Sequence, residues 1–124
     1  MLETLSIAIG ASVGAILRNL IAEASLFGHH HFYLRILLIN VLGSATFGFL
    51  LAALNDRPGS LVTALIFTGF LGSFTTFSAF SHHNHHLILE GRLITAFLNI
   101  IGQVSLSLLF FYLCFRWGRM VFHR

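Results

Sequence analysis

Long apolar stretches alternate with short polar connections along the whole chain. Four stretches stay apolar for close to the ~20 residues that a helix needs to cross a bilayer. They cover residues 2–22, 36–54, 61–80 and 93–115, and the connections between them cover 23–35, 55–60 and 81–92. The connections are too short to hold a further domain. The pattern therefore predicts an all-α membrane protein in which residues 1–124 form a single domain of four transmembrane helices.

The composition supports a membrane protein. Hydrophobic residues make up 56% of the chain and charged residues only 9%, whereas a soluble domain carries about a quarter charged residues. The first stretch begins with Glu3 rather than with a basic region, and Gly10 and Gly14 interrupt it, so we expect a retained helix and not a cleaved signal peptide. The same two glycines have the spacing that lets membrane helices approach closely.

The arginines are spread over both sides of the predicted helix bundle, which argues against a basic surface for nucleic acid. Four helices place four arginines on one side (Arg57, Arg116, Arg119, Arg124) and three on the other (Arg18, Arg35, Arg92). This difference is too small to fix an orientation. Two topologies follow. Either copies insert in opposite orientations and pair as an antiparallel dimer, or the basic C-terminus lies on the cytoplasmic side.

The third stretch contains an unusual polar segment. Residues 72–81 carry five hydroxyl side chains and three phenylalanines, and polar groups at membrane depth mark a functional site by default. Gly69 and Gly72 followed by Thr75 and Thr76 favour a break in the helix, since glycine tolerates unusual dihedral angles and hydroxyls satisfy freed backbone groups. Unwound carbonyls would suit a small hard cation. The alternative is a continuous helix whose hydroxyls bond back to preceding carbonyls.

Phe77 and Phe80 lie three residues apart, so a helix places them on one face. Such rings usually pack against lipid or against other helices. A functional alternative follows from the ring quadrupole, because the positive ring edge can help to line a path for an anion.

Polar residues in the other stretches allow two interpretations each. Asn40 either clamps a neighbouring helix or donates N–H groups to an anion. Asn99, Gln103 and Ser107 recur every four residues and form either contacts between helices or a series of donors along a pore. Arg18 either extends to the interface or attracts anions in an aqueous vestibule.

The acidic residues bear on the transported ion. Glu3, Glu23, Asp56 and Glu90 all lie at or near the ends of the predicted spans. A proton-coupled drug exporter of four helices, the main alternative, needs a carboxylate within a span, so the pattern favours an anion path. A further alternative is a membrane assembly subunit without transport, in which every polar residue only joins helices.

Histidines form two clusters, at residues 29–31 and 82–86, in connections assigned to the same side. Such clusters can bind Zn, Ni or Cu, but neither shows a two-plus-two spacing with cysteine, and solvated polar residues are the simpler interpretation. Cys114 has no partner for an internal disulfide and is expected to be a core thiol.

Together these residues resemble the Fluc (CrcB-type) fluoride channel family. The resemblance is carried by residues 14–18, 40–44 and, most specifically, 69–81. It implies a channel and not an enzyme: an antiparallel, dual-topology homodimer of four-helix subunits with two pores. The channel would pass fluoride passively out of the cell through the bacterial plasma (inner) membrane. Fluoride, lipid and a second copy would be its partners.

The resemblance also implies roles for individual residues. Phe77 and Phe80 resemble the aromatic pair that lines the pore, and Asn40 the polar residue that accompanies it. Arg18 matches a basic residue near the vestibule, and Ser107 the outer hydroxyl of a polar track that the N–H groups of Gln103 would continue.

The resemblance further implies one structural Na⁺ at the dimer centre, held by the backbone carbonyls of Gly72 and Thr75 from both subunits. The chain departs from the family at three positions. His83 stands where members usually have an acidic residue, and Asn99 and Gln103 stand where many have Tyr and Ser.

Overall fold

The computed structural model describes residues 1–24 and 32–122, and the regular elements of that part of the chain are all helices. Helix α1 spans Leu2–Glu23 and α2 spans Phe32–Ala53. Helix α3 covers 60–74 and joins the α-helical turn Ser60–Val62, a π-helical segment Thr63–Leu71 and the turn Gly72–Phe74. Helix α4 spans Phe77–Leu89 and α5 spans Leu93–Phe122.

Within the described residues, four helical stretches are long and apolar enough to cross a membrane, which confirms the predicted all-α fold of four membrane-spanning helices. They are Leu2–Glu23, Phe32–Ala53, Ser60–Leu89 (α3 and α4 together) and Leu93–Phe122. The last two run well past the apolar stretches. The predicted connection 81–92 is therefore wrong for most of its length, because only residues 90–92 join α4 to α5. Hydropathy marks the length embedded in lipid, whereas the hydrogen bonds of a helix can continue into water.

The helices pack in two close pairs, α1 along α3 and α2 along α5. Glycines form the contacts in both pairs. A Cβ atom at Gly14 would overlap the carbonyl oxygen of Phe70, and one at Gly48 would overlap that of Phe111. The prediction that Gly10 and Gly14 form a close-packing face is confirmed, since both are buried against α3.

The third span is broken near its middle, as predicted. Thr75 (ψ 155°) and Thr76 (φ −148°, ψ 116°) have extended backbone between α3 and α4. The continuous-helix alternative is therefore wrong, although the Thr75 hydroxyl does donate to the carbonyl of Leu71 at 3.0 Å.

The glycines have a different role from the one predicted. Gly72 keeps helical dihedral angles (φ −63°, ψ −31°), so the break occurs three residues beyond it. Gly69 lies against α1, where a Cβ atom would come within 3.1 Å of the Gly10 Cα. Close helix packing, and not backbone freedom, explains Gly69.

We predict that Gly48→Ala lowers the stability of the purified protein, because the added methyl group meets the backbone of α5. Overpacking of this kind typically costs about 1–3 kcal/mol. Gly102→Ala is the matched control, since it adds the same atom to α5 where no atom lies within 4 Å. Thermal unfolding in detergent measures both variants, and equal unfolding temperatures would contradict the packing described here.

Candidate ion-conducting site

The side chain of Asn40 pairs with the backbone at the break. Its Oδ1 accepts from the Thr76 N–H at 2.8 Å, and its Nδ2 donates to the Thr76 carbonyl at 3.1 Å. Backbone groups within a membrane must find partners inside the protein. Asn40 on α2 thus supplies to Thr76 the donor and the acceptor that a continuous helix would have provided.

The same amide orients Gln103 on α5. Asn40 Nδ2 also donates to Gln103 Oε1 at 3.0 Å. Because the Thr76 backbone fixes which end of the Asn40 amide is the donor, Gln103 must present its oxygen to Asn40, and its Nε2 points elsewhere. That Nε2 is buried and has no hydrogen-bond partner within the described chain. Both N–H groups of Asn40 are used inside the protein, so the free amide donor of this site belongs to Gln103.

A cleft of about 350 Å³, here called the pore cleft, opens beside this network. It brings together five of the six predicted pore residues, namely Asn40, Phe77, Phe80, Gln103 and Ser107. It is also lined by Ser44, Thr75, Thr76, Val104 and Leu108. Besides the two amides, four hydroxyl side chains line the cleft. Ser44 lies on α2, Thr75 and Thr76 lie at the break, and Ser107 lies on α5. The surface of the cleft is therefore mainly apolar, with a small number of hydrogen-bonding groups.

The two phenylalanines differ in exposure. Their ring centroids are 5.2 Å apart and the ring planes are inclined by 49°. Phe80 is 8% exposed and belongs to the core, whereas Phe77 is 76% exposed. A single copy of the chain therefore leaves one side of the pore cleft open at Phe77.

The sixth predicted residue, Arg18, lies in a separate cleft of about 430 Å³, here called the vestibule. The vestibule is bounded by α1, α2 and α4, and it also contains Ser78 and His82. Thr76 lines both the vestibule and the pore cleft. The break thus lies between the vestibule, which Arg18 lines, and the pore cleft, which Gln103 lines.

The break releases carbonyls from the helical hydrogen-bond pattern, and those of Gly72 and Thr75 are among them. The Thr76 N–H would bond to the carbonyl of Gly72 in a continuous helix, but it donates to Asn40. The Ala79 N–H would bond to the carbonyl of Thr75, but it donates to Thr76 Oγ1 at 3.2 Å. These are the carbonyls predicted to hold Na⁺, and both residues line a smaller cleft of about 200 Å³. Hard cations prefer carbonyl oxygens, so the donor set fits such an ion.

Asn84 is a structural residue that the sequence analysis did not single out, because it stands within the histidine run. Its Nδ2 donates to the Phe80 carbonyl at 2.9 Å, and its Oδ1 accepts from Asn99 Nδ2 at 3.1 Å. Asn99 thus joins α5 to the turn that carries Phe80. Asn99 does not line the pore cleft. Of the three polar residues that recur every four positions on α5, Asn99 therefore joins helices, whereas Gln103 and Ser107 line the cleft.

The histidines of the second cluster lie on α4 and not in a loop, because α4 continues to Leu89. The first cluster, at residues 29–31, falls outside the described residues. Across residues 1–24 and 32–122, no three His, Cys, Asp or Glu side chains come together as a metal-binding group.

Comparison with known proteins identifies the family. Residues 5–115 match the family described as CrcB-like protein, Camphor Resistance (CrcB). The chain belongs to this family.

Three relatives, each named fluoride-specific ion channel FluC, are similar over most of their length. The protein from a Nitratiruptor species is 40% identical over 104 residues, which is 83% of this chain and 81% of the relative. That from Campylobacter fetus subsp. fetus is 39% identical over 112 residues, 88% of each chain. That from Shewanella halifaxensis is 38% identical over 117 residues, 91% of this chain and 93% of the relative.

We predict that Asn40→Ala destabilises the break, because it leaves the Thr76 N–H and carbonyl unpaired. Each buried group left without a partner costs about 1–3 kcal/mol. Ser44→Ala is the control, since Ser44 lies one turn further along α2 on the same pore cleft. Hydrogen exchange at residues 75–79 and thermal unfolding measure the effect. Equal stability of the two variants would show that Asn40 does not hold the break.

Proposed function

We propose that this protein is a fluoride-selective channel that passes F⁻ passively through the bacterial plasma membrane. The family and the names of its relatives support the choice of ion. The observation that carries the proposal is the buried, unpartnered Nε2 of Gln103, a residue that lines the pore cleft.

The chemistry of the pore cleft suits a small, strongly hydrated anion. A selective pore must replace the water around the ion with close ligands in a narrow passage. Gln103 Nε2 and the Ser107 hydroxyl supply N–H and O–H donors, and the ring edges of Phe77 and Phe80 supply positive electrostatic potential. Arg18 in the vestibule attracts anions towards the break.

The acidic residues count against a proton-coupled exporter. All four of the chain's carboxylate side chains, on Glu3, Glu23, Asp56 and Glu90, are on exposed residues at helix ends or in connections. The described interior thus offers a donor for an anion, in Gln103, but no carboxylate that could bind and release a proton.

The direction of transport follows from the acid–base chemistry of fluoride. HF crosses the membrane, dissociates in the less acidic cytoplasm, and F⁻ leaves down its gradient.

The working unit in this proposal is an antiparallel homodimer with two pores and one central Na⁺. A second copy would cover Phe77, which a single copy leaves exposed. It would also add its own Gly72 and Thr75 carbonyls to those of the first copy, since two oxygen atoms alone are too few ligands for a hard cation. A cation near the midplane would lower the electrostatic cost of an anion there.

Fluoride efflux from liposomes tests the proposal. We expect the purified protein to release fluoride rapidly, as read by a fluoride electrode, while chloride is retained. Gln103→Glu keeps the oxygen that accepts from Asn40 and replaces only the free Nε2 donor, so we expect fluoride efflux to fall at least about tenfold. Ser105→Ala, at an exposed position on α5, is the control. A Gln103→Glu protein that conducts normally would refute the role of Gln103, and absent flux from wild type would refute the channel.

The sodium proposal makes a separate prediction. If Na⁺ joins the two copies, exchange of Na⁺ for N-methyl-D-glucamine should lower the unfolding temperature of the dimer and increase the monomer fraction on size exclusion. Readdition of Na⁺ should reverse both changes. Identical unfolding temperatures with and without Na⁺ would contradict a structural cation at this break.

A further inference from the structure

We propose that His82 and His86 form a binding site for a divalent transition metal at the rim of the vestibule. The two residues are four apart on α4, and their ring centroids lie 4.6 Å apart. Both are exposed. Two histidines at this spacing share one face of a helix, which is the arrangement that places two imidazole ligands on one zinc ion.

The pair is accessible from water. The first 20 or so residues of the third span are enough to cross about 30 Å of hydrocarbon. Residues beyond 80 therefore extend towards the aqueous phase. The exposed ion pair between Glu90 and Arg92, at 3.4 Å, lies at the end of the same helix. A metal ion dissolved in water can reach imidazoles at this position without entering lipid.

The other histidines of α4 are placed differently. The ring of His83 packs against Phe32 and Tyr33, with centroid distances of 5.2 and 6.1 Å, so it is held away from a shared ligand position. His85 is exposed, and its ring is 6.3 Å from that of His86. This makes His85 a matched control on the same helix.

The site is connected to the vestibule through His82, which lines the vestibule together with Arg18. Two imidazole ligands suit Zn²⁺, Ni²⁺ or Cu²⁺ and leave further coordination positions to water or an anion. Arg18 adds positive charge on the same cleft, so an anion on the metal would complete the site. A bound metal should then hold anions at the entrance and slow their passage.

Zinc titration by calorimetry tests the site, and it does not depend on the proposed channel function. The protein is purified without a histidine tag, with His29, His30, His31 and His123 replaced by asparagine to remove competing ligands. We expect this parent to bind Zn²⁺. His82→Ala and His86→Ala should each weaken binding at least about tenfold, and His85→Ala should not. Equal binding by the His86→Ala protein, or an equal loss in His85→Ala, would overturn the proposal.

The effect on transport rests on the proposed function and is measured separately. Zn²⁺ on both sides of the liposomes should slow fluoride efflux through the parent, and a chelator should restore it. The His86→Ala protein should be insensitive to zinc. Unchanged efflux with zinc bound would overturn the link to the ion path. Absent efflux without zinc would count against the channel and not against the metal site.

Discussion

The pairing between the Asn40 side chain and the Thr76 backbone is the interaction on which the rest of the site depends. A helix cannot be interrupted inside a membrane unless the freed N–H and carbonyl groups find partners. Asn40 supplies both partners from the neighbouring helix, with bonds of 2.8 and 3.1 Å. Without this pairing, a continuous helix would be the more stable form of the third span, because it satisfies the same N–H and carbonyl groups. The break would then be lost, and with it the wall shared by the vestibule and the pore cleft.

Two further features follow from the same pairing. The Thr76 N–H no longer bonds to the Gly72 carbonyl, and Thr76 Oγ1 takes the N–H that would have bonded to Thr75. The carbonyls of Gly72 and Thr75 thereby lose the N–H partners that a continuous helix would give them, and carbonyl oxygens suit a hard cation. The orientation of the Asn40 amide also decides which atom Gln103 presents to it, so Gln103 Nε2 is left as the unpaired donor. The proposed cation site and the proposed anion site therefore both depend on contacts made at this break.

Much of this arrangement could be predicted from the sequence, because a span must be apolar for a fixed length and its polar residues then stand out. The four helices and the break were predicted in this way, and the resemblance to the fluoride channel family added five of the residues that line the pore cleft. The helix ends were not, since α4 and α5 continue beyond the lipid, where hydropathy carries no signal. Nor could the sequence show that Asn40 uses both its N–H groups internally, or that Asn84 holds the turn of Phe80. Those roles depend on which atoms meet between helices.

Passive, fluoride-selective conduction is the central claim, and the reversal potential in a planar bilayer tests it most directly. With fluoride and chloride gradients set in opposite directions, the current should reverse at the equilibrium potential of fluoride. An added pH gradient should leave that value unchanged, because no carboxylate lies among the described residues of the pore cleft to couple a proton. A reversal potential that follows chloride, or that shifts with the pH gradient, would contradict the account.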